Sequence, residues 1–204
     1  LTIPTVPDSF QLETVCRLNP KQNTKLMGLY TSSTGFFTLC EAEGFRRITP
    51  FLDRPDVMAR YTVTLHADRE CYPVLLANGN LIAQGEEGDG RHWATWEDPF
   101  PKPSYLFAIV AANLDKQADT FVTQSGQKVL LQFFVEPGKL DQGTFALESL
   151  KNAMKWDEET YGLEVDLDEY NVVAVGDFNA GAMENKRLNI FNTKLVLARP
   201  DKTS

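Results

Sequence analysis

Through the first half of the chain, apolar and polar residues alternate at nearly every step. Only an extended backbone turns such a rhythm into one buried face and one wet one. In "YTVTLH", Tyr61, Val63 and Leu65 alternate with Thr62, Thr64 and His66, and in "FQLETVCRL" Phe10, Leu12, Cys16 and Leu18 fall on one side. Turn chemistry punctuates these runs. "LMGLYT" and "FFTLC" flank "SSTG" as the arms of a hairpin, "YPVLLA" and "LIAQGE" flank "NGN", and "GDG" precedes "RHWATWED". An antiparallel sheet assembly is expected. After "DPFPKP", the run "SYLFAIVAANL" is almost wholly apolar, as in a strand covered on both faces.

The second half changes rhythm. The polar stretch Asp115 to Asp119 ("DKQAD") offers the best domain boundary, and "TFVTQSGQKVLLQFFVEPG" reads as a hairpin around Ser125 and Gly126. In "QGTFALESLKNAMKWDEETYG", Leu147, Leu150, Met154 and Tyr161 recur at helical spacing, with Gly162 placed as a C-terminal cap. Two further strand runs follow, "YNVVAV" and "LNIFNTKLVLA", with "GDFNAGAMEN" between them as a loop. Gly176 and Gly181 permit close backbone approach there, and Ala180 and Ala182 keep the surroundings of Glu184 low in bulk. The chain is therefore mainly β, with an α+β C-terminal part. No repeat or low-complexity tract interrupts it.

Composition excludes several classes of function. With 204 residues, 43% apolar and 24% charged, the chain is globular and long enough for one large domain or two small ones. Its net charge of -8 without a basic cluster argues against nucleic acid and suits a cationic ligand better. No stretch is long and apolar enough to span a bilayer. Cys16, Cys40 and Cys71 lack C-x-x-C spacing, which points to reduced thiols and a cytoplasmic setting. The opening "LTIPTVPDSF" has neither Met nor a basic leader, so a segment of a longer polypeptide is expected.

Histidines number only two, His66 and His92, with no H-E-x-x-H or H-x-H spacing, which disfavours a zinc site held by this chain alone. A G-x-S-x-G elbow is absent, and "GEEGDGR" is acidic where a phosphate would lie. Carboxylates remain. Glu41 and Glu43 precede Arg46 and Arg47 in "CEAEGFRRI", where a solvated turn with local ion pairs is the ordinary reading. Glu184 alone is equally compatible with a surface loop.

Taken together, "GAMEN" (Gly181 to Asn185), "CEAEGFRRITPFLDRPDVMARYTVTL", "YPVLLANGN", "DPFPKPSYLFAIVA", "SLKNAMKWDEETYGL" and "DLDEYNVVAVGDFNAGAMENKRLNIFNTKLVLA" resemble the bacterial aminopeptidase N branch of the gluzincin zinc aminopeptidases. The blocks stand in the order of that family and cover essentially the whole chain. The resemblance implies a zinc enzyme that removes N-terminal residues from peptides, its metal held by two histidines of H-E-x-x-H and a later glutamate. Those ligands follow "LVLA" in the family, so this chain, ending at Ser204, is expected to be inactive by itself and to hold no zinc.

By the same resemblance, residues 1–113 are most of an N-terminal β-saddle domain, incomplete at its start. Residues 114–204 begin a thermolysin-like catalytic domain. Glu184 binds the substrate's free α-ammonium, Glu41 joins it from the preceding domain, and the backbone of Gly181 and Ala182 aligns the peptide within a loop that includes Met183. The implied partners are peptides with a free N-terminus, bound by a cytoplasmic monomer. Two positions depart from the family: Ala180 stands where bacterial relatives often have Met, and Arg187 where many have Gly. The alternative is a metal-free β-rich module that binds peptide N-termini or a protein partner.

Overall fold

A computed structural model describes residues 3–199, so the chain's terminal residues lie outside the description. In chain order come β1 (Gly28–Ser32), β2 (Gly35–Leu39), β3 (Ala59–Asp68), β4 (Val74–Ala77), β5 (Asn80–Glu86), β6 (Arg91–Lys102) and β7 (Ile109–Ala112). There follow β8 (Asp115–Val122), β9 (Lys128–Val135), α1 (Thr144–Tyr161), β10 (Glu169–Val175), β11 (Ala182–Met183), β12 (Leu188–Asn192) and a single-turn helix α2 (Thr193–Val196). Strands dominate, as the alternation predicts.

The earlier strands form two antiparallel sheets, a four-stranded one in the order β1-β2-β7-β4 and a three-stranded one in the order β3-β6-β5. The hairpin around "SSTG" closes with Ser32 opposite Gly35, and β3 alternates half-buried and exposed residues along its whole length. "NGN" is different. It joins β4 of one sheet to β5 of the other, so its flanks are not hairpin arms. Gly79 allows this change of sheet, because at its φ of +85 a Cβ would stand 2.2 Å from the Glu97 carbonyl oxygen.

The later strands make a mixed sheet in the order β11-β12-β10-β9-β8, with β10 parallel to both β9 and β12. Helix α1 supplies the crossover that a parallel β9/β10 pair needs. It ends where the sequence places its stop, at Gly162 with φ +64 and its N–H bonded to the Glu158 carbonyl. Period-two alternation then divides this sheet between two cores. Phe134, Val173, Val175, Met183, Leu188 and Ile190 pack with Tyr30, Phe37, Leu76, Trp96 and Val110 of the other sheets. Phe133, Val135, Val172 and Ala174 face Leu147 and Met154 of α1.

Several expectations need correction. "FQLETVCRL" forms no strand: Phe10, Leu12 and Val15 stay exposed and no neighbour pairs with the backbone. The apolar run "SYLFAIVAANL" supplies only the short central strand β7, after a 3-10 turn at Ser104–Leu106. Asp115 to Asp119 is strand rather than an irregular polar break, part of the outermost β8 and polar at the sheet's rim, while the change from the earlier sheets to the mixed sheet falls just before it. "NTKLVLA" is not strand either, since the Asn192 side chain accepts from the Lys194 N–H and starts α2. Finally, the "GAMEN" stretch is not all loop, because Ala182 and Met183 pair antiparallel with β12.

Candidate functional site

Glu41 follows β2 at the point where the chain turns away from the sheet. Gly44 is required there, because a Cβ would stand 2.5 Å from the Leu39 carbonyl oxygen. Phe45 anchors the turn by packing edge-on against Phe51 and Phe107, with ring centres 5.0 and 4.9 Å away. Asp53, itself buried, completes the anchor. Its Oδ2 accepts from the Arg46 backbone N–H (2.9 Å) and Nε (3.1 Å), and its Oδ1 from the Ser104 hydroxyl. Burial pushes the Asp53 carboxyl up, but the bonds from Ser104 and Arg46 outweigh it and hold the group below the usual carboxylate range. Glu43 makes the local ion pair expected of a surface turn, 3.4 Å from Arg46. Glu41 makes no ion pair among the described residues and lines a cleft of about 480 Å³ with Glu43, Arg46, Asp53 and Tyr105.

Glu184 is placed by alternation at the other side. In β11 and just beyond it, Met183 and Asn185 are buried while Ala182 and Glu184 are exposed. Met183 is fully buried, its side chain filling the shared core, so this residue presents nothing to the outside. The approach to β11 is tied down by the first sheet: the Tyr30 hydroxyl donates to the Asp177 carbonyl (2.9 Å), and Ser32 to the Asp177 carboxylate (2.9 Å). Asn192 then holds both ends of the bend, its side chain donating to Phe178 O (3.2 Å) and its backbone N–H to Gly181 O (2.9 Å). Neither Gly176 nor Gly181 uses the left-handed region; in this stretch it is Arg187 that has φ +68.

Asn78 links the two loops. Its amide donates to Leu106 O (3.0 Å) and Lys186 O (3.0 Å), while its oxygen accepts from Ala108 N–H (2.7 Å). Tyr105, next to Leu106, walls the Glu41 cleft, and Lys186 lies two residues beyond Glu184. One buried side chain thus spans from the Glu41 region to the Glu184 region. Nothing in the sequence singled out Asn78, because an Asn in a turn ordinarily serves its own backbone.

The two histidines do not fit a zinc ion. His66 stands opposite Trp93 and His92 opposite Ala67, so the two rings leave opposite faces of the sheet. His66 Nδ1 meets Glu87 at 2.6 Å and His92 Nε2 meets the Tyr72 carbonyl at 2.8 Å. Among the described residues no three His, Cys, Asp or Glu side chains gather as metal ligands do.

Comparison with known proteins bears on the family and the fold. Residues 4–106 match the peptidase M1 N-terminal domain and residues 145–204 the peptidase family M1 domain. The chain is 60% identical over 193 residues to aminopeptidase N of Haemophilus influenzae, covering 95% of this chain and 22% of that protein. It is 57% identical over 201 residues to aminopeptidase N of Escherichia coli, covering 98% of this chain and 23% of that protein. Among solved structures, Legionella pneumophila aminopeptidase A in complex with aspartic acid superposes with a TM-score of 0.87 at 43% identity, over 89% of this chain and 21% of that one. The chain therefore spans under a quarter of the length of these relatives. Matched over both its earlier and its later part, the chain belongs to the M1 peptidase family.

Proposed function

We propose that this chain is the amine-binding part of a longer zinc aminopeptidase, which removes N-terminal residues from peptides in the cytoplasm as a monomer. The observation that carries the reading is the position of Glu184. It is an exposed acid that follows a rim strand directly, held between two buried residues, with no ion-pair partner among the described residues. Residues 1–113 then correspond to the N-terminal β-saddle domain and 114–204 to the start of the thermolysin-like catalytic domain. Zinc, which activates water and polarises a peptide carbonyl in such enzymes, is held by residues outside this chain, and the chain alone is inactive.

Within that whole, this chain selects the substrate's end. A carboxylate about 4 Å from an α-ammonium gains on the order of 4 kcal/mol at an effective dielectric of 20, before desolvation is subtracted. An internal peptide amide brings no charge, so Glu184 and Glu41 would be left unpaired against it, and a free terminus is preferred. Gly181 and Ala182 are exposed at the rim of the sheet, where an extended peptide would run alongside them, although the Gly181 carbonyl is already engaged by Asn192.

The test uses the whole protein and an aminoacyl anilide. Glu184→Ala should lower kcat/KM by at least about a hundredfold, equal to roughly 2.7 kcal/mol of lost transition-state binding; an unchanged value removes Glu184 from the site. Metal-dependent hydrolysis by the 204-residue chain alone would overturn its assigned inactivity. Calorimetry on that chain with a peptide and its N-acetylated form addresses the metal-free module, which requires a free-amine preference without zinc; equal or absent binding would count against it.

A further inference from the structure

Arg187 takes φ +68, a region that residues with side chains enter at a cost. Such a conformation persists only where the surroundings over-determine it. Here they do. The residue is 1% exposed, and its Nη1 donates to the Gly79 carbonyl and to Asn80 Oδ1 (2.9 Å). Nη2 donates to the Glu169 carboxylate on β10, and the guanidinium carbon lies 5.0 Å from the Trp96 ring centre. The Arg187 carbonyl accepts from the Asn171 N–H at 2.7 Å. One residue earlier, the Lys186 carbonyl accepts from Asn78, and the Lys186 ammonium sits 3.8 Å from the Phe100 ring centre.

The segment after Glu184 is therefore gripped from two directions. The Asn78–Gly79–Asn80 turn holds it on one side and β10 on the other. That same turn, through Asn78 and Leu106, also reaches the wall of the Glu41 cleft. A fork of fixed donors suits this task better than a single ammonium, because it reaches a carbonyl, an amide and a carboxylate from one plane.

We infer that Arg187 is a positioning residue that locks the Glu184 loop onto the Asn78–Gly79–Asn80 turn, and so fixes where one acid stands relative to the other. The inference rests on the reading of Glu184 as the amine anchor. Arg187 touches no substrate; it acts through the loop. A glycine at this position relieves the backbone but surrenders every contact of the guanidinium.

The experiment compares Arg187→Gly, Asn80→Ala and Glu184→Ala in the whole protein. It measures the ratio of inhibition constants for a dipeptide and its N-acetylated form, together with KM and kcat on an aminoacyl anilide. Arg187→Gly should fold, since φ +68 suits glycine and the Glu169 side chain it leaves behind is 31% exposed to water. Asn80→Ala removes one acceptor without altering the loop itself, and carries the test should the first variant not fold. Both changes should shrink the free-amine preference, Arg187→Gly by about tenfold, with KM rising more than kcat falls. An intact preference in both, beside its loss in Glu184→Ala, would make Arg187 a structural rivet and overturn the inference. An intact preference in Glu184→Ala itself would remove the amine anchor, and the inference with it.

Discussion

Replacing Lys102 by Met isolates one buried charge. The side chains of Lys102 and Asp98 are 4% and 1% exposed, their charged atoms are 2.7 Å apart, and the ammonium lies 4.1 Å from the Tyr61 ring centre. Burial pushes the Lys102 ammonium below its ordinary pKa, opposed by the bond and charge of Asp98. Methionine keeps the length and apolar stem of lysine but strands the carboxylate. Breaking a buried pair in this way costs about 3–5 kcal/mol. The loss is not the full cost of an isolated ion, because Asp98 still accepts from the Phe100 N–H at 3.1 Å. At about 2–4 °C per kcal/mol for a chain of this size, the midpoint should fall by roughly 6–20 °C. Adding Asp98→Asn removes the stranded charge and keeps an acceptor for Phe100, so the double variant should recover to within about 1–2 kcal/mol of the parent. Urea unfolding followed by tryptophan fluorescence measures both, since Trp93 and Trp96 lie on the same strand. A Lys102→Met loss under about 1 kcal/mol, or a double variant no more stable than the single, would refute the reasoning.

Two further outcomes follow from groups already described. The Asp53 carboxyl titrates below its unfolded value, so its stabilisation is complete above about pH 4 and is lost as pH falls through the folded value. The acid limb of a stability-against-pH curve should therefore be shallower in Asp53→Asn, and an unchanged slope would deny the carboxylate that role. Gly162 and Gly79 separate backbone conformation from crowding, since a Cβ meets nothing within 4 Å at Gly162 but meets backbone atoms at 2.2–2.4 Å at Gly79. Gly162→Ala should cost about 1–2 kcal/mol, and Gly79→Ala clearly more, in the same unfolding assay.

What the sequence disclosed was periodicity; what it withheld was partnership. Tyr61, Val63 and Leu65 alternate and form a strand because β6 lies beside them, whereas Phe10, Leu12 and Cys16 alternate equally well and remain unpaired. Alternation specifies faces, and a strand also needs a neighbouring backbone. The stretch Asp115 to Asp119 is polar because it lies on a rim strand, where polarity needs no interruption of the strand itself. At "NGN" the turn was legible but not its destination, because the sheet a strand joins is fixed by distant residues. In the site, Glu41 and Glu184 stood out through family resemblance, and the outward display of Glu184 follows from its buried neighbours Met183 and Asn185. Asn78 and Arg187 were invisible as connectors, since their partners lie about a hundred positions away.

The mixed sheet also has two unlike margins. On β8, Asp115, Lys116 and Asp119 line the rim, and Asp119 is engaged by Lys151 of the helix, so an extended chain arriving there meets charge and a side chain already in place. On β11 the rim is two residues long and ends beside Glu184. Aggregation through the long margin is discouraged, while the short margin gives a visiting strand too little backbone to hold it without a charge to meet the acid. The two margins of this sheet thus present different surfaces: a long edge occupied by charge, and a two-residue edge beside an exposed acid.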